Sequence, residues 1–392
     1  MTFTLHHARG AKWLHRRPRP PVPSVSVIKY LGSKRLLAPL IGDAAQALEA
    51  RTAADLFAGT TRVGQELRRR GITVLSGDTA AYSEDFGIAY LEEGGRPRLG
   101  ELLAMLRTAP PHRGYFTRTF CEDARYIHPD NGMRIDGARA AIDRLDLDRS
   151  ERGLLLTSLI EAADRVDSTV GVQMAYLKRW APRALQPLEL REPAEVPGPP
   201  GTAVRRDANQ LAGELDGIDV AYLDPPYNQH SYFANYHVWE TLHRGDEPDH
   251  YGVACKRLDC RTTKSAYNSR RAAGDALADL IARTTATWIL LSFSDESFHD
   301  LEQVGRLLAE HGHVGAVAVD ARRYVGATIG IHNPQGQRVG TVSHLRNTEV
   351  LFVCGPSRAG VDAVIESGRR HGALPLRSGS ARSRSARMRA AS

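Results

Sequence analysis

The residues best suited to chemistry are Asp224-Pro225-Pro226-Tyr227, which follow a largely apolar run over 218–223. Such a run is typical of a buried strand, and two successive prolines cannot continue a sheet ladder, so the strand must stop abruptly. The stiff backbone then holds an acid on one side and a flat ring on the other. A carboxylate and a neighbouring carbonyl can accept both hydrogens of an amino group, while the ring stacks on the heterocycle that carries it. The alternative is a rigid turn after a core strand.

A second stretch, Asp55-Leu56-Phe57-Ala58-Gly59, lies in a pattern of strand, small-residue loop, helix and strand. The sequence predicts the helix over 63–70 and the second strand over 72–76, which finishes in Gly77-Asp78. This is typical of the first unit of a doubly wound nucleotide-binding sheet, where a glycine lets the backbone approach a ligand and an acid accepts from ribose hydroxyls. The loop is not a G-x-G-x-x-G fingerprint, so an adenosyl ligand without a pyrophosphate is favoured over a dinucleotide.

Two charged residues are suited to the same ligand. Lys34 precedes a predicted helix over 35–48 and would lie at its first turn, where the helix dipole disfavours a cation. We therefore expect an anionic neighbour such as a ligand carboxylate, with a solvated lysine as the alternative. Asp207 ends a further predicted strand, a position suited to an adenine amine.

The arrangement of predicted elements indicates an α/β fold. Apolar strands over 287–293, 314–319 and 349–354 extend the sheet, whereas residues 84–201 break the strand–helix alternation. The fold class is therefore a doubly wound, Rossmann-like sheet with a mostly helical inserted subdomain. The domains are a disordered basic tail (1–24), the sheet domain (25–83 and 202–355), the insert (84–201), and an Arg- and Ser-rich C-terminal extension (356–392), disordered at least from about residue 370.

Basic residues of the insert lie among aromatic ones, a composition suited to nucleic acid. The Asn131-Gly132 pair predicts a turn, after which a helix begins near Asp136. A solvated surface position is the alternative for each candidate contact to phosphate or base. The candidates are Arg125, Arg134, Arg139 and Lys178 in the insert, with Lys256 and Arg257 in a polar segment beyond residue 244.

The net charge supports a polyanionic partner only weakly, because it is concentrated in the tails. The formal charge of the 392 residues is +7. Residues 1–24 and 377–392 each hold five basic residues and no acid, which leaves −3 for the rest. No apolar run approaches a membrane span and no signal-peptide core follows the N-terminus. Four cysteines form no disulfide framework, and Cys255 and Cys260 with His250 match no standard zinc spacing, so we expect a reduced cytoplasm and no metal.

With these motifs placed, the chain resembles the Dam-like class of DNA adenine methyltransferases over roughly residues 25–355. The order of the motifs, with a long insert between cofactor loop and catalytic strand, is that of members whose DNA-reading region lies in the middle. The shared features are Tyr30-Leu31-Gly32-Ser33-Lys34, Asp55-Leu56-Phe57-Ala58-Gly59, Gly77-Asp78, Asn131-Gly132-Met133-Arg134-Ile135-Asp136, Asp224-Pro225-Pro226-Tyr227 and Asn235-Tyr236-His237.

The resemblance implies transfer of a methyl group from S-adenosylmethionine to the exocyclic amine of adenine in double-stranded DNA, with the base flipped out. Residues 25–83 and 202–355 would form the catalytic domain and 84–201 the target-recognition region. Asp224, Pro225, Pro226 and Tyr227 would be catalytic.

The resemblance also assigns cofactor contacts. Tyr30 and Lys34 would border the cofactor, with Lys34 facing its carboxylate. The methionine end would be lined by Asp55, Phe57 and Gly59, and the ribose held by Asp78. The chain departs from the family pattern at Thr61 and at Ser294, where relatives usually or often have glycine.

Two rival functions stay open from the sequence. An enzyme of the same fold could methylate an amine in RNA or in a protein glutamine, although such enzymes lack the long insert and often have Asn in place of Asp224. A non-catalytic DNA-binding module could have kept the fold, with Thr61 as a sign of a degraded loop. For the enzyme we expect a monomer in the cytoplasm, at the nucleoid, that can be paired with a restriction endonuclease.

Overall fold

The structure is a computed structural model that describes residues 2–3, 28–30, 32, 34–174, 179–294, 297–322, 331–332, 338–340, 346–376 and 378–379. Outside these ranges lie the rest of the two tails and residues 31, 33, 175–178 (with Lys178), 295–296, 323–330, 333–337 and 341–345. No helix within the described ranges has the length and apolar content needed to cross a bilayer.

The strands, in chain order, are β1 (Thr2–Phe3), β2 (Thr52–Asp55), β3 (Thr73–Asp78), β4 (Thr202–Arg205), β5 (Val220–Leu223), β6 (His250–Tyr251), β7 (Lys256–Arg257), β8 (Trp288–Ser294), β9 (His313–Arg322), β10 (Ile331–His332), β11 (Arg338–Gly340), β12 (Arg346–Gly355), β13 (Leu374–Pro375) and β14 (Ser378–Gly379). The helices are α1 (Ala38–Ala47), α2 (Arg62–Arg69), α3 (Ala81–Leu91), α4 (Leu99–Thr108), α5 (Pro129–Arg144), α6 (Arg149–Arg165), α7 (Ala208–Ala212), α8 (Tyr232–Asn235), α9 (His237–Arg244), α10 (Ala273–Arg283), α11 (Leu301–Ala309) and α12 (Arg358–Arg370), with a π-helical turn over Thr117–Asp123.

Within the described ranges, eight strands form one mixed sheet in the order β13-β9-β12-β8-β5-β2-β3-β4. The strands from β8 to β4 run parallel, while β12 is antiparallel to β8 and to β9. The candidate catalytic residues Asp224 to Tyr227 follow β5, which lies between β2 and β8 and is buried along its whole length. The α/β prediction is confirmed.

Side chains that alternate along β5 reach opposite faces of the sheet, and each face has its own apolar core. Val220 and Tyr222 belong to the core built with α1, α2 and α12. Ala221 and Leu223 belong to the core built with α7, α10 and α11. Helices therefore cover both faces, as a doubly wound sheet requires.

A third apolar core lies within the helical region, where residues from α3 to α6 pack together. Val238, Trp239 and Leu242 of α9 belong to this core although they follow β5 in sequence. The helical region is therefore tied to the segment just after the candidate catalytic loop.

The turn predicted at Asn131-Gly132 is wrong, because α5 begins at Pro129 and runs through both residues. The Asn131 amide donates to the carbonyls of Ala184 and Gln186 instead of closing a local turn. A Cβ on Gly132 would lie 2.5 Å from Sγ of Cys121, so the glycine permits close packing on the π-helical turn. Tertiary contacts therefore override the local turn preference.

The C-terminal extension is ordered further than the sequence predicts. Val361 and Val364 of α12 pack into the sheet core, and β13 pairs with β9, so disorder from about residue 370 is wrong as far as residue 376. The short strands β1 and β14 pair with each other, as do β6 and β7, and β10 and β11.

Candidate active site

The two sequence motifs meet at the carboxyl edge of the parallel strands. In the ladder between β2 and β5, Asp55 pairs with Tyr222, and Leu56 donates its N–H to the Tyr222 carbonyl at 3.2 Å. Asp224 follows two residues later, so two acids that are 169 residues apart in sequence lie at the same crevice. This is the edge at which open α/β sheets bind ligands.

Lys34 approaches the same crevice from the turns that precede α1. Its Nζ lies 3.0 Å from Oδ1 of Asp224 and 3.7 Å from Oε2 of Glu349, and the side chain is 9% exposed. Burial alone would lower the pKa of Lys34, but the charges of Asp224 and Glu349 raise it well above its ordinary value. The expected anionic neighbour is present, and it consists of two carboxylates of this chain.

Burial raises the pKa of Asp224, while the charge and hydrogen bond of Lys34 oppose that rise. Lys34 therefore favours the ionised carboxylate, which is the form that accepts hydrogen bonds. The helix dipole has little part in this pairing, since α1 begins at Ala38 and not at Arg35 as the sequence suggests.

Glu349 is a site residue that the sequence reasoning missed. It lies in β12 opposite Ser294 of β8, at the start of the buried residues 350–354. An acid at the head of an apolar strand was the available signal. Beneath the pair, the Tyr222 hydroxyl lies 2.8 Å from Oγ of Ser292.

Asp55 is 2% exposed, and its Oδ1 accepts no hydrogen bond from any residue in the described part of the chain. Burial and the charges of Asp224 and Asp78 raise the pKa of Asp55 to about 8. A buried acceptor without a partner is costly unless a ligand supplies a donor. Asp55 is therefore suited to an ammonium group.

The loop after β2 is held close to Tyr30. Gly59 has a φ of +50°, and a Cβ there would lie 3.0 Å from the Tyr30 ring, so a side chain would crowd the aromatic. Thr61 has a φ of +57°, in the left-handed region that favours glycine. Thr61 thus keeps the backbone conformation that a glycine would adopt. The Thr61 N–H donates to the Ala58 carbonyl at 2.7 Å.

Asp78, at the end of β3, braces this loop. One carboxylate oxygen accepts from Gly59 N at 2.8 Å and the other from Ala80 N at 2.9 Å. Its contact with a ribose stays a prediction. Each oxygen of a carboxylate has a second lone pair, so the brace leaves acceptor capacity.

Aromatic rings line the site next to the loop. Tyr30 stacks on Tyr236 with ring centroids 4.3 Å apart and on Tyr232 at 5.3 Å, and its hydroxyl lies 3.3 Å from that of Tyr82. Burial raises the pKa of Tyr30 well above its ordinary value. His237 beside Tyr236 is fully buried, and burial lowers its pKa to about 3, so it is a neutral part of the core.

Phe57 and Asp207 lie on the opposite side of the glycine loop. The edge of Phe57 meets Tyr267 with centroids 5.5 Å apart. Asp207 caps the N-terminus of α7 by accepting from Asn209 N at 3.0 Å and Gln210 N at 3.3 Å. The cap gives Asp207 a structural role, and its contact with an adenine amine stays a prediction.

Tyr227 and the two prolines complete the loop after β5. The Tyr227 ring lies 6.4 Å from Phe293, and its carbonyl accepts from Phe298 N at 3.1 Å. Burial raises the pKa of Tyr227 to about 12, so the ring is a neutral phenol. Pro225 is buried, whereas Pro226 and Tyr227 are partly exposed.

Two of the candidate DNA contacts are interior residues. Arg139 is 8% exposed and donates to the Leu242 carbonyl at 2.6 Å and the His243 carbonyl at 3.1 Å, at the end of α9. Arg257 is 2% exposed and pairs with Asp246 and Asp259 at 2.7 and 3.0 Å. The prediction that they contact DNA is corrected, because both guanidinium groups are buried and bind partners inside the protein.

Three of the remaining candidates, Arg125, Arg134 and Lys256, keep exposed surface, and Lys178 lies outside the described residues. Arg134 is exposed and Lys256 is partly exposed. The Arg125 guanidinium lies 5.2 Å from the centre of the Trp180 ring. Contacts of these three residues with DNA stay predictions.

Comparison with known proteins gives consistent matches. Residues 30–302 match the model of a family described as D12 class N6 adenine-specific DNA methyltransferase. Modification methylase LlaI of Lactococcus lactis subsp. lactis is 30% identical over 321 residues, 76% of this chain and 51% of that protein. Type II methyltransferase M.NlaIII of Neisseria lactamica is 30% identical over 313 residues, 76% of this chain and 92% of that protein. The chain thus spans about half of the first relative and most of the second.

Proposed function

The chain belongs to the D12 class of N6 adenine-specific DNA methyltransferases, and we propose that it transfers a methyl group from S-adenosylmethionine to the exocyclic amine of a flipped adenine in double-stranded DNA. The observation that carries the proposal is the Asp224 carboxylate at the end of β5, held at 3.0 Å by Lys34 and adjacent to Asp55. In this proposal the Asp224 carboxylate is the hydrogen-bond acceptor for the target amine, and Asp55 beside it belongs to the residues that would hold the methyl donor.

The residues present fit S-adenosylmethionine. The unpartnered Oδ1 of Asp55 would accept from its ammonium group, and Gly59 lets the backbone approach it closely. Phe57 would line the methionine end together with Asp55, Asp207 would border the adenosyl end, and Tyr30 and Asp78 the middle of the site. When bound, S-adenosylmethionine supplies a methyl group on a sulfonium, which is an electrophile with a neutral leaving group.

Lys34 takes a different place in the proposal than the resemblance gave it. Since its ammonium is shared between Asp224 and Glu349, we assign Lys34 to the target side of the crevice. There its charge favours the ionised form of Asp224, against the effect of burial. A further contact with the cofactor carboxylate stays a prediction.

The amine of adenine is a poor nucleophile because its lone pair is delocalised into the ring. The Asp224 carboxylate and the Pro225 carbonyl would accept its two hydrogens and draw the nitrogen towards tetrahedral geometry, which localises the lone pair. Asp224 would also stabilise the positive charge that develops on nitrogen and receive the proton that the product amine sheds. No covalent enzyme intermediate is needed, and alignment of the reacting atoms is most of the task.

The target amine is shielded within a duplex, so the base has to leave the stack at a cost of a few kcal/mol. Stacking on Tyr227 would return about 1–3 kcal/mol. The neutral phenol of Tyr227, packed against Phe293, supports this role.

The partners, oligomeric state and cellular location of the enzyme are also part of the proposal. The names of the relatives as modification methylases support pairing with a restriction endonuclease. We propose a monomer that acts on DNA in the cytoplasm, at the nucleoid, with Arg125, Arg134 and Lys256 as candidate contacts.

Expression in a host that lacks DNA methylation, followed by single-molecule sequencing of the host DNA, tests the proposal. Methylated adenine in one short sequence context is expected. In parallel, tritiated methyl transfer from S-adenosylmethionine to duplex DNA, structured RNA and a glutamine-containing protein would be compared. Transfer to RNA or protein at a rate above that to DNA would contradict the proposal, as would unmodified host DNA.

A further inference from the structure

Three potential metal ligands converge away from the candidate active site. The side chains are Asp123, His250 and Cys255, and one ligand atom from each lies within 4.8 Å of the other two. They provide a carboxylate, an imidazole and a thiol. Asp123 and His250 are exposed, while Cys255 is buried.

The fold brings these residues together from two distant segments. Asp123 is the last residue of the π-helical turn Thr117–Asp123, a type of irregularity found frequently at functional sites. His250 lies in β6, and Cys255 immediately precedes β7, the two strands of one short hairpin. His250 follows Asp123 by 127 residues.

The hairpin is fixed to the helical region by hydrogen bonds on both sides of the cluster. The Tyr115 hydroxyl donates to the Pro248 carbonyl at 2.6 Å, and the Tyr126 hydroxyl donates to the Ala254 carbonyl at 3.0 Å. The Tyr115 ring also contacts His250, with centroids 6.5 Å apart. The three side chains are therefore held in place by contacts other than those among themselves.

Within the described part of the chain, the three potential ligand groups have no other polar partner. Neither the Asp123 carboxylate, the His250 ring nor the Cys255 thiol forms a hydrogen bond or an ion pair there. Cys255 also has a φ of +44°, in the left-handed region that favours glycine. A cysteine kept in that conformation, with its sulfur facing a carboxylate and an imidazole, suits a ligand role better than simple packing.

We propose that Asp123, His250 and Cys255 bind a zinc ion, with water as the fourth ligand. Zinc accepts sulfur, nitrogen and oxygen ligands at about 2.0–2.3 Å in tetrahedral geometry, which puts ligand atoms about 3.3–3.8 Å apart. In the structure the three ligand atoms lie within 4.8 Å of one another. Because Asp123 and His250 are exposed, their side chains can rotate to shorten these distances to those that zinc requires. Thiolate and carboxylate together neutralise the two charges of the ion.

The ion would join the end of the π-helical turn to the hairpin that carries Lys256 and Arg257. The proposal departs from the sequence expectation of no metal, which rested on the spacing of His250, Cys255 and Cys260. Cys260 is not part of the cluster. The third ligand is Asp123, which no local spacing could reveal. The inference does not depend on the proposed methyl transfer.

To test the inference, the full-length protein is purified without chelator and dialysed, and its metal content is measured by inductively coupled plasma mass spectrometry. About one zinc per chain is expected. Asp123→Ala and His250→Ala, both at exposed positions, should each weaken zinc binding by at least about tenfold, and Cys255→Ser should do the same. Cys260→Ser, a buried thiol five residues away, is the matched control and should retain the ion.

Cobalt substitution gives a second readout that does not depend on activity. Adding Co²⁺ to the metal-free protein should produce a thiolate-to-cobalt charge-transfer band, absent in Cys255→Ser and present in Cys260→Ser. Failure of the unmodified protein to bind zinc at micromolar concentration would overturn the inference. Equal zinc binding by Asp123→Ala, His250→Ala and the unmodified protein would overturn it as well, whether or not Cys255→Ser folds.

Discussion

The ammonium of Lys34 lies 3.0 Å from the carboxylate of Asp224, although the two residues are 190 positions apart in sequence. The pair joins the turn before α1 to the loop after β5, and Glu349 of β12 adds a second negative charge to it. Burial and Lys34 act on the pKa of Asp224 in opposite directions. The protonation of the proposed acceptor therefore depends on a residue 190 positions earlier in the chain.

Replacing Lys34 with Gln should shift the acid limb of the pH profile for methyl transfer to higher pH. Without the ammonium, burial raises the pKa of Asp224 unopposed, and the protonated acid cannot accept from the amine. A pH titration of kcat measures the shift. Lys34→Arg keeps the cation and is the control, with its acid limb close to that of the unmodified enzyme. An unshifted limb in Lys34→Gln would contradict the role of Lys34.

Binding of S-adenosylmethionine at pH 7 should release about one proton. With a pKa of about 8, Asp55 is about nine-tenths protonated at pH 7 in the free protein. An ammonium beside the carboxylate favours its ionised form and lowers that pKa, so the proton leaves. Calorimetry in two buffers of different ionisation enthalpy measures the release. Asp55→Asn, which has no proton to lose, should show none; an equal release from this variant would contradict the assignment.

Arg139→Met should lower stability, whereas Arg134→Ala should weaken DNA binding. Arg139→Met removes the donor to a buried carbonyl and to a partly buried one at the end of α9, and it should lower the free energy of unfolding by about 2–4 kcal/mol. Arg134→Ala should leave stability unchanged, weaken duplex binding and reduce the salt slope of the affinity by about one. Urea unfolding and fluorescence anisotropy at several salt concentrations measure the two effects. A DNA defect without a stability defect in Arg139→Met would restore Arg139 as a contact.

The parts of the fold that depend on local pattern were predictable from the sequence. Apolar runs gave the strands β8, β9 and β12 within a few residues, and the prolines after β5 gave its end. The convergence of Asp55 and Asp224 depends on β2 and β5 being parallel neighbours, which the structure shows. The motifs at these strand ends carry the resemblance that the family match confirms.

What the sequence could not give depends on contacts between distant residues. Arg139 and Arg257 are basic residues of the kind that bind DNA phosphates, yet both are buried. Arg139 donates to carbonyls at the end of α9, and Arg257 pairs with acids. Asn131-Gly132 lies within a helix because its neighbours satisfy the asparagine amide. Glu349 and Asp123 gain their partners only through folding. An acid at the head of β12 signals the strand but not its contact with Lys34, and no local spacing links Asp123 to His250 and Cys255.

Methyl transfer by Asp224→Ala, measured together with its binding of S-adenosylmethionine, tests the proposed role of Asp224 as the acceptor for the target amine. We expect transfer of tritiated methyl to duplex DNA to fall by at least about a thousandfold, while the Kd for S-adenosylmethionine from calorimetry changes by less than about threefold. Asp216→Ala, which removes an exposed acid eight residues upstream, is the matched control and should leave both quantities unchanged. Near-normal methyl transfer by Asp224→Ala would contradict the account.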